Sequence, residues 1–211
     1  MDDGKGKKVG IIGGTFNPVH TGHLMLAEWA KEEAGLDQVL FLPAGCPYMK
    51  NAGDVLDGEQ RLEMVELAIR DREDFICSDM EIRRKGYTYT YETLEMLRKQ
   101  NPDTQYFFIM GADCLFSLES WACPERIFAA CTLIAAARNG SPIEEMEKKC
   151  RELEERFHGS ICLVEFLEIE ISSTDIRTRV KAGRSIRYMV PDPVRSYIEE
   201  NRLYQDESIQ Q

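Results

Sequence analysis

Apolar residues along the chain fall into two alternating kinds of segment. Residues 9–12, 39–42, 106–110, 132–136 and 161–164 are short unbroken runs of β-branched, aromatic and aliphatic side chains, and continuous runs of this length predict strands covered on both faces. Residues 24–34, 59–70, 90–100, 143–157, 174–182 and 193–201 instead repeat apolar positions at three and four residues, the period of a helix with one buried face. Strands alternating with helices predict βαβ units, and hence an α/β fold with a mostly parallel central sheet flanked by helices. Ligands of such sheets bind beyond the carboxyl ends of the strands. The connections KNAGDVLD (50–57) and RRKGYT (83–88) are polar, contain glycine and lack either period, which predicts mobile loops.

Composition narrows the class. With 211 residues, 43% apolar and 30% charged, the chain has the balance of a folded globular protein rather than a disordered one. We expect one domain over 1–204 and a frayed tail at 205–211. The formal charge of −11 argues against a nucleic-acid surface, which is built from clustered Lys and Arg. No apolar run approaches the roughly 18 to 20 residues of a membrane span, and the polar start followed by early glycines does not resemble a signal peptide. The seven cysteines form no CxxC pair and leave an odd one over, a pattern that suits a reducing cytoplasm with thiols packed as small apolar groups. Self-association into a homo-oligomer is left open.

Two stretches carry candidate chemistry. GIIGGTFNPVHTGHLML (10–26) holds two of the three histidines, His20 and His23. Gly13 and Gly14 follow a strand and let backbone approach a ligand, and Pro18 stiffens the turn into a helix beginning near Thr21 or Gly22. The stretch matches neither GxxxxGK[ST] nor GxGxxG. A helix start favours an anion, and imidazoles three residues apart can aim at the same phosphate. A catalytic zinc site would need a third ligand, and the remaining histidine, His158, lies in a charged helix end. The second stretch, EIEISSTDIRTRVKAGRSIRYMVP (168–191), places the capping types Ser172, Ser173 and Thr174 before a helical pattern. Arg177 is expected in its first turn, where a cation suits a nearby anion. Arg177, Arg179, Lys181, Arg184 and Arg187 form either a second anion site or a solvated basic face.

GGTFNPVHTGH and ISSTDIR together resemble the nucleotidyltransferase superfamily, marked by HxGH after the first strand and a Ser/Thr and Arg motif at a late helix start. PAGCPYMK, GYTYTYETL, FFIMGADCLFSLESW, RNG and IRYMVPDPVRSYIEENRLY, in that order, are similar to bacterial nicotinate-nucleotide adenylyltransferases. The resemblance implies a Rossmann-like fold and transfer of the adenylyl group of ATP to nicotinate mononucleotide, by direct in-line attack without a covalent intermediate. It implies that His20, His23 and Arg177 are catalytic. Gly13, Gly14, Thr15, Phe16, Lys50, Gly111, Asp113, Ser173 and Thr174 would bind ATP, and Tyr89, Thr90, Trp121 and Arg138 the mononucleotide. Mg²⁺ would be held through the ATP phosphates, without a protein cage of its own. The chain departs from the family where Met49 replaces the histidine of PPHK, where Asn17 replaces a common Asp, and where Ala122 follows Trp121 in place of an aromatic residue.

Overall fold

The computed structural model describes residues 6–45, 55–138, 143–166 and 170–205. Six strands, β1 (Lys8–Gly14), β2 (Gln38–Pro43), β3 (Phe75–Cys77), β4 (Gln105–Gly111), β5 (Thr132–Arg138) and β6 (Ile161–Phe166), form a single sheet in the order β3-β2-β1-β4-β5-β6. Every neighbouring pair is parallel, so the sheet is wholly rather than mostly parallel. The chain order reverses direction between β1 and β4, which opens a crevice at their carboxyl ends.

Among the described residues, eight α-helices cover the two faces: α1 (Thr21–Ala34), α2 (Gly58–Ile69), α3 (Thr90–Gln100), α4 (Ala112–Ser117), α5 (Pro124–Ala130), α6 (Ile143–Phe157), α7 (Ser173–Lys181) and α8 (Asp192–Glu200). Ala27 and Ala30 of α1, Met64 and Val65 of α2, Ile176 of α7 and Val194 of α8 pack with Ile12, Phe41 and Ile134 on one face. Leu94, Leu115, Ile127 and Met146 pack with Ile11, Leu42 and Leu133 on the other. Successive strand residues thus enter opposite cores, which is why the strands read as unbroken apolar runs.

Three elements depart from the sequence expectation. Strand β3 has only three residues inside a polar stretch, too short for a period. Helices α4 and α5 have six and seven residues, fewer than two turns each, and their apolar positions serve one shared core rather than a visible repeat. In the 83–88 connection, which the sequence reads as a mobile loop, Arg83 pairs with Asp79, Arg84 with Glu92, and the Thr88 hydroxyl donates to Glu81 at 3.0 Å. Most of the 50–57 connection, with Lys50 and Met49, lies outside the described residues. Among the described cysteines, Cys150 is buried and the others half-buried, all as free thiols; burial raises Cys77 and Cys131 to about 12 and keeps them protonated. No helix among the described residues is long and apolar enough to cross a membrane.

One buried cation is structural. Arg61 is 1% exposed and lies on α2 one turn before Met64 and Val65, on the stripe that faces the core. Its Nη1 donates to Thr15 O at 2.8 Å, Nη2 to Gly45 O at 3.1 Å and Nε to Leu56 O at 2.9 Å, so one guanidinium ties together the loops after β1 and β2. Replacing it strands buried carbonyls. Arg61→Met is expected to lower unfolding stability in urea by about 3 to 5 kcal/mol, whereas a loss below about 1 kcal/mol would show that water takes over the three bonds.

Candidate active site

The loop after β1 turns sharply before entering α1. Phe16 adopts φ 50° and the Asn17–Pro18 peptide is cis. His20 then caps α1 in extended backbone, with Thr21 as its first residue. The His20 N–H donates to Nδ1 of His23 at 3.2 Å. With Nδ1 accepting, a neutral His23 carries its proton on Nε2 and presents a donor there. The two imidazoles lie 3.7 Å apart between centroids at 33°, and the edge of Phe16 meets His23 at 5.0 Å. Phe16 is itself 2% exposed. Its ring therefore supports His23 from below.

His20 is 8% exposed, and its Nδ1 is buried without a hydrogen-bond partner among the described residues. Such an atom carries a desolvation penalty until a ligand meets it. A Cβ on Gly22 would lie 3.1 Å from this Nδ1, so the glycine of HxGH leaves room for the first imidazole. Burial lowers the His20 pKa from 6.5 to about 4, leaving the ring neutral at pH 7.

The second stretch closes onto the first. Ser172 caps α7, accepting from Asp175 N at 3.0 Å, which leaves the Ser173 hydroxyl to donate to Pro18 O at 2.8 Å. Arg177 is the fifth residue of α7, one residue further in than expected, because the helix starts at Ser173 rather than Thr174. From there its Nη1 donates to Asn17 O at 2.9 Å and its Nη2 to Thr174 Oγ1 at 3.4 Å. Tyr204, beyond α8, donates its hydroxyl to Asn17 Oδ1 at 2.9 Å, and Leu56 N–H reaches the same oxygen at 3.3 Å. Asn17 thus supplies the acceptor that an Asp would also offer.

A cleft of about 180 Å³ runs from Gly13 and Gly14 to Thr88, Thr90 and Trp121, over a floor that includes Leu42 and Phe108. Tyr89 caps α3 and Thr90 begins it; Trp121 sets its edge against Phe108 at 6.1 Å. Gly111 ends β4 and caps α4, and Asp113 is exposed in the first turn of α4. These two lie at the carboxyl edge of the sheet and are not among the described residues that line this cleft; Arg138 is the last residue of β5. Lys50 lies outside the described residues.

Arg61, Tyr204 and Glu81, which also lines the cleft, carried no reading from sequence. An arginine on the apolar stripe of α2 was the available signal for the first. No group of three or more His, Cys, Asp or Glu side chains among the described residues is placed to hold a metal. The donors gathered here are imidazoles, hydroxyls, a guanidinium and the N-termini of α1 and α7, a set that suits phosphate oxygens.

Residues 11–179 match the cytidylyltransferase-like family. The chain is 45% identical over 198 residues to a Lachnoclostridium phytofermentans protein, covering 94% of this chain and 99% of that one. It is 43% identical over 201 residues to one from Clostridium botulinum, covering 95% and 100%. Both carry the name "Probable nicotinate-nucleotide adenylyltransferase". Among solved structures, Plasmodium falciparum nicotinic acid mononucleotide adenylyltransferase complexed with NaAD superposes with a TM-score of 0.77 at 20% identity, covering 94% of this chain and 97% of that one. This likeness shows the shared fold.

The depressed His20 value makes stability sensitive to acid. An unfolded chain takes up a proton near 6.5 while the folded one stays neutral down to about 4, so stability is intact above 6.5 and falls as pH drops through that window. Urea unfolding at pH 7 and 4.5 should show the protein losing on the order of 2 kcal/mol more than its His20→Gln variant. Equal losses would place His20 in solvent contact.

Proposed function

The chain belongs to the nicotinate-nucleotide adenylyltransferase family, and on that premise we propose that it transfers the adenylyl group of ATP to nicotinate mononucleotide. The products are nicotinate adenine dinucleotide and pyrophosphate, a step of NAD biosynthesis. The observation that carries this reading is the closure of Ser173 and Arg177 onto the carbonyls of Pro18 and Asn17, which makes one anion-binding surface of two distant sequence motifs.

A phosphate oxygen of the mononucleotide attacks the α-phosphorus of ATP. The new P–O bond forms as the bond to the α,β-bridging oxygen breaks, and pyrophosphate carries away the electron pair. The nucleophile is already an anion, so no strong base and no covalent intermediate are required. What the protein must supply is alignment of two anions and donors for the charge that grows on the phosphoryl and leaving oxygens. His23, with its proton on Nε2, and His20 serve the α-phosphate, beside Gly13, Gly14 and Thr15. An arriving phosphate raises the pKa of His20 and supplies the partner its Nδ1 lacks. Ser173, Thr174 and Arg177 hold the β- and γ-phosphates, with Lys50 in support, and Gly111 and Asp113 take the nucleoside at the end of β4.

Trp121 stacks on the nicotinate ring, and the N–H groups at the start of α3, at Tyr89 and Thr90, receive its carboxylate. Arg138 approaches the mononucleotide from the end of β5. Mg²⁺ would be held through the phosphates of ATP rather than by a protein cage, and would supply positive charge beside the leaving pyrophosphate. The free cysteines among the described residues support a cytoplasmic setting.

Pyrophosphate release with ATP and Mg²⁺ tests the reading. Nicotinate mononucleotide should be strongly preferred over nicotinamide mononucleotide; release with neither would overturn the proposal. His23→Ala should lower kcat by about a thousandfold with KM little changed, each tenfold loss corresponding to about 1.4 kcal/mol of barrier. Trp121→Ala should raise KM for nicotinate mononucleotide about tenfold and spare that for ATP; equal effects on both substrates would make Trp121 scaffold.

A further inference from the structure

The cleft beside Trp121 contains a carboxylate that the proposed chemistry does not use. Glu81 lines it together with Thr88, Thr90 and Thr93. A negative group beside a site for a nicotinate carboxylate cannot serve by attraction, since like charges brought together cost energy. Its hydrogen bonds point to another task. Thr88 Oγ1 donates to Glu81 Oε2 at 3.0 Å and Thr93 Oγ1 to Oε1 at 2.7 Å. One threonine precedes α3 and the other lies in its first turn, so the carboxylate brackets Tyr89 and Thr90 from both sides.

We propose that Glu81 is a positioning residue for acceptor recognition, holding the start of α3 so that its N–H groups face the ring carboxylate of the substrate. Arg84 completes the bracket. Its Nη1 donates to Thr93 Oγ1 at 3.1 Å and its Nη2 pairs with Glu92, which places a balancing cation beside the acid. Burial pushes the Glu81 carboxyl pKa up, while the two hydroxyls and Arg84 draw it back. The backbone fixes Glu81 in turn: a side chain on Gly45 would run into the Glu81 carbonyl, and the Gly45 carbonyl accepts from Arg61, whose Nη1 holds Thr15. The acceptor end of the cleft is thereby tied to the phosphate loop.

This role rests on the acceptor proposed above, and the experiment separates the two. Steady-state kinetics would compare the wild-type protein with Glu81→Ala, Glu81→Gln and Thr93→Val, each checked for folding by its melting curve. Glu81→Ala should raise KM for nicotinate mononucleotide at least about tenfold while KM for ATP stays within about twofold. Glutamine can accept from one threonine and donate to the other, so Glu81→Gln should recover most of the loss. Glu81→Ala and Thr93→Val should be less than additive in log KM, because they remove the same contact.

An unchanged or lowered KM for the mononucleotide in Glu81→Ala, an equal rise for both substrates, or full additivity would overturn the role even with an active wild type. If Glu81→Ala does not fold, the Gln and Thr93→Val variants decide by the same split between substrates. Absence of turnover in the wild type would overturn the acceptor reading and this role with it.

Discussion

The guanidinium of Arg61 is the constraint on which the rest of the site depends. A buried cation is stable only if its donors are met, and here they are met by the carbonyls of Thr15, Gly45 and Leu56. Those carbonyls belong to segments that leave β1 and β2 and would otherwise leave polar groups unpaired near the core. The bond to Thr15 holds the turn that presents His20 and His23. The bond to Gly45 holds the backbone against which Glu81 rests. A single side chain on α2 therefore sets the spacing between the phosphate loop and the far end of the cleft.

Around that frame the electrostatics are local. The protein carries a formal charge of −11, yet the loop after β1 and the start of α7 gather donors: two imidazoles, hydroxyls, Arg177 and the N-termini of α1 and α7. Short-range hydrogen bonds of this kind suit a small anion even in an acidic protein. His20 illustrates the cost of this design. Its burial keeps it neutral and leaves Nδ1 without a partner among the described residues, a deficit that the proposed phosphate ligand would relieve.

Substitution at Met49 removes the family's further loop histidine but leaves the inner donors in place. The pair His20 and His23 is set by its own backbone contact and by the Gly22 contact distance, neither of which involves that loop. Asn17 shows the same independence, since its Oδ1 still accepts from Tyr204 and Leu56. The histidine pair is therefore held from the core outward.

The sequence by itself determined the α/β class, five of the six strands and the six longer helices, because apolar periodicity is a local property that burial on two faces imposes directly. It also marked the two segments that the structure brings together, since glycines after a strand, histidines at a helix start and hydroxyls before a helix act through neighbouring backbone. β3, α4 and α5 were illegible because fewer than two turns, or three strand residues, carry no period. Only the tertiary structure decided that Ser173 and Arg177 meet the carbonyls of residues 155 and 160 positions earlier, that Tyr204 reaches Asn17, and that Glu81 brackets α3. These are contacts between segments that the chain order keeps apart. No local pattern encodes which segments the packing of a shared core will bring together.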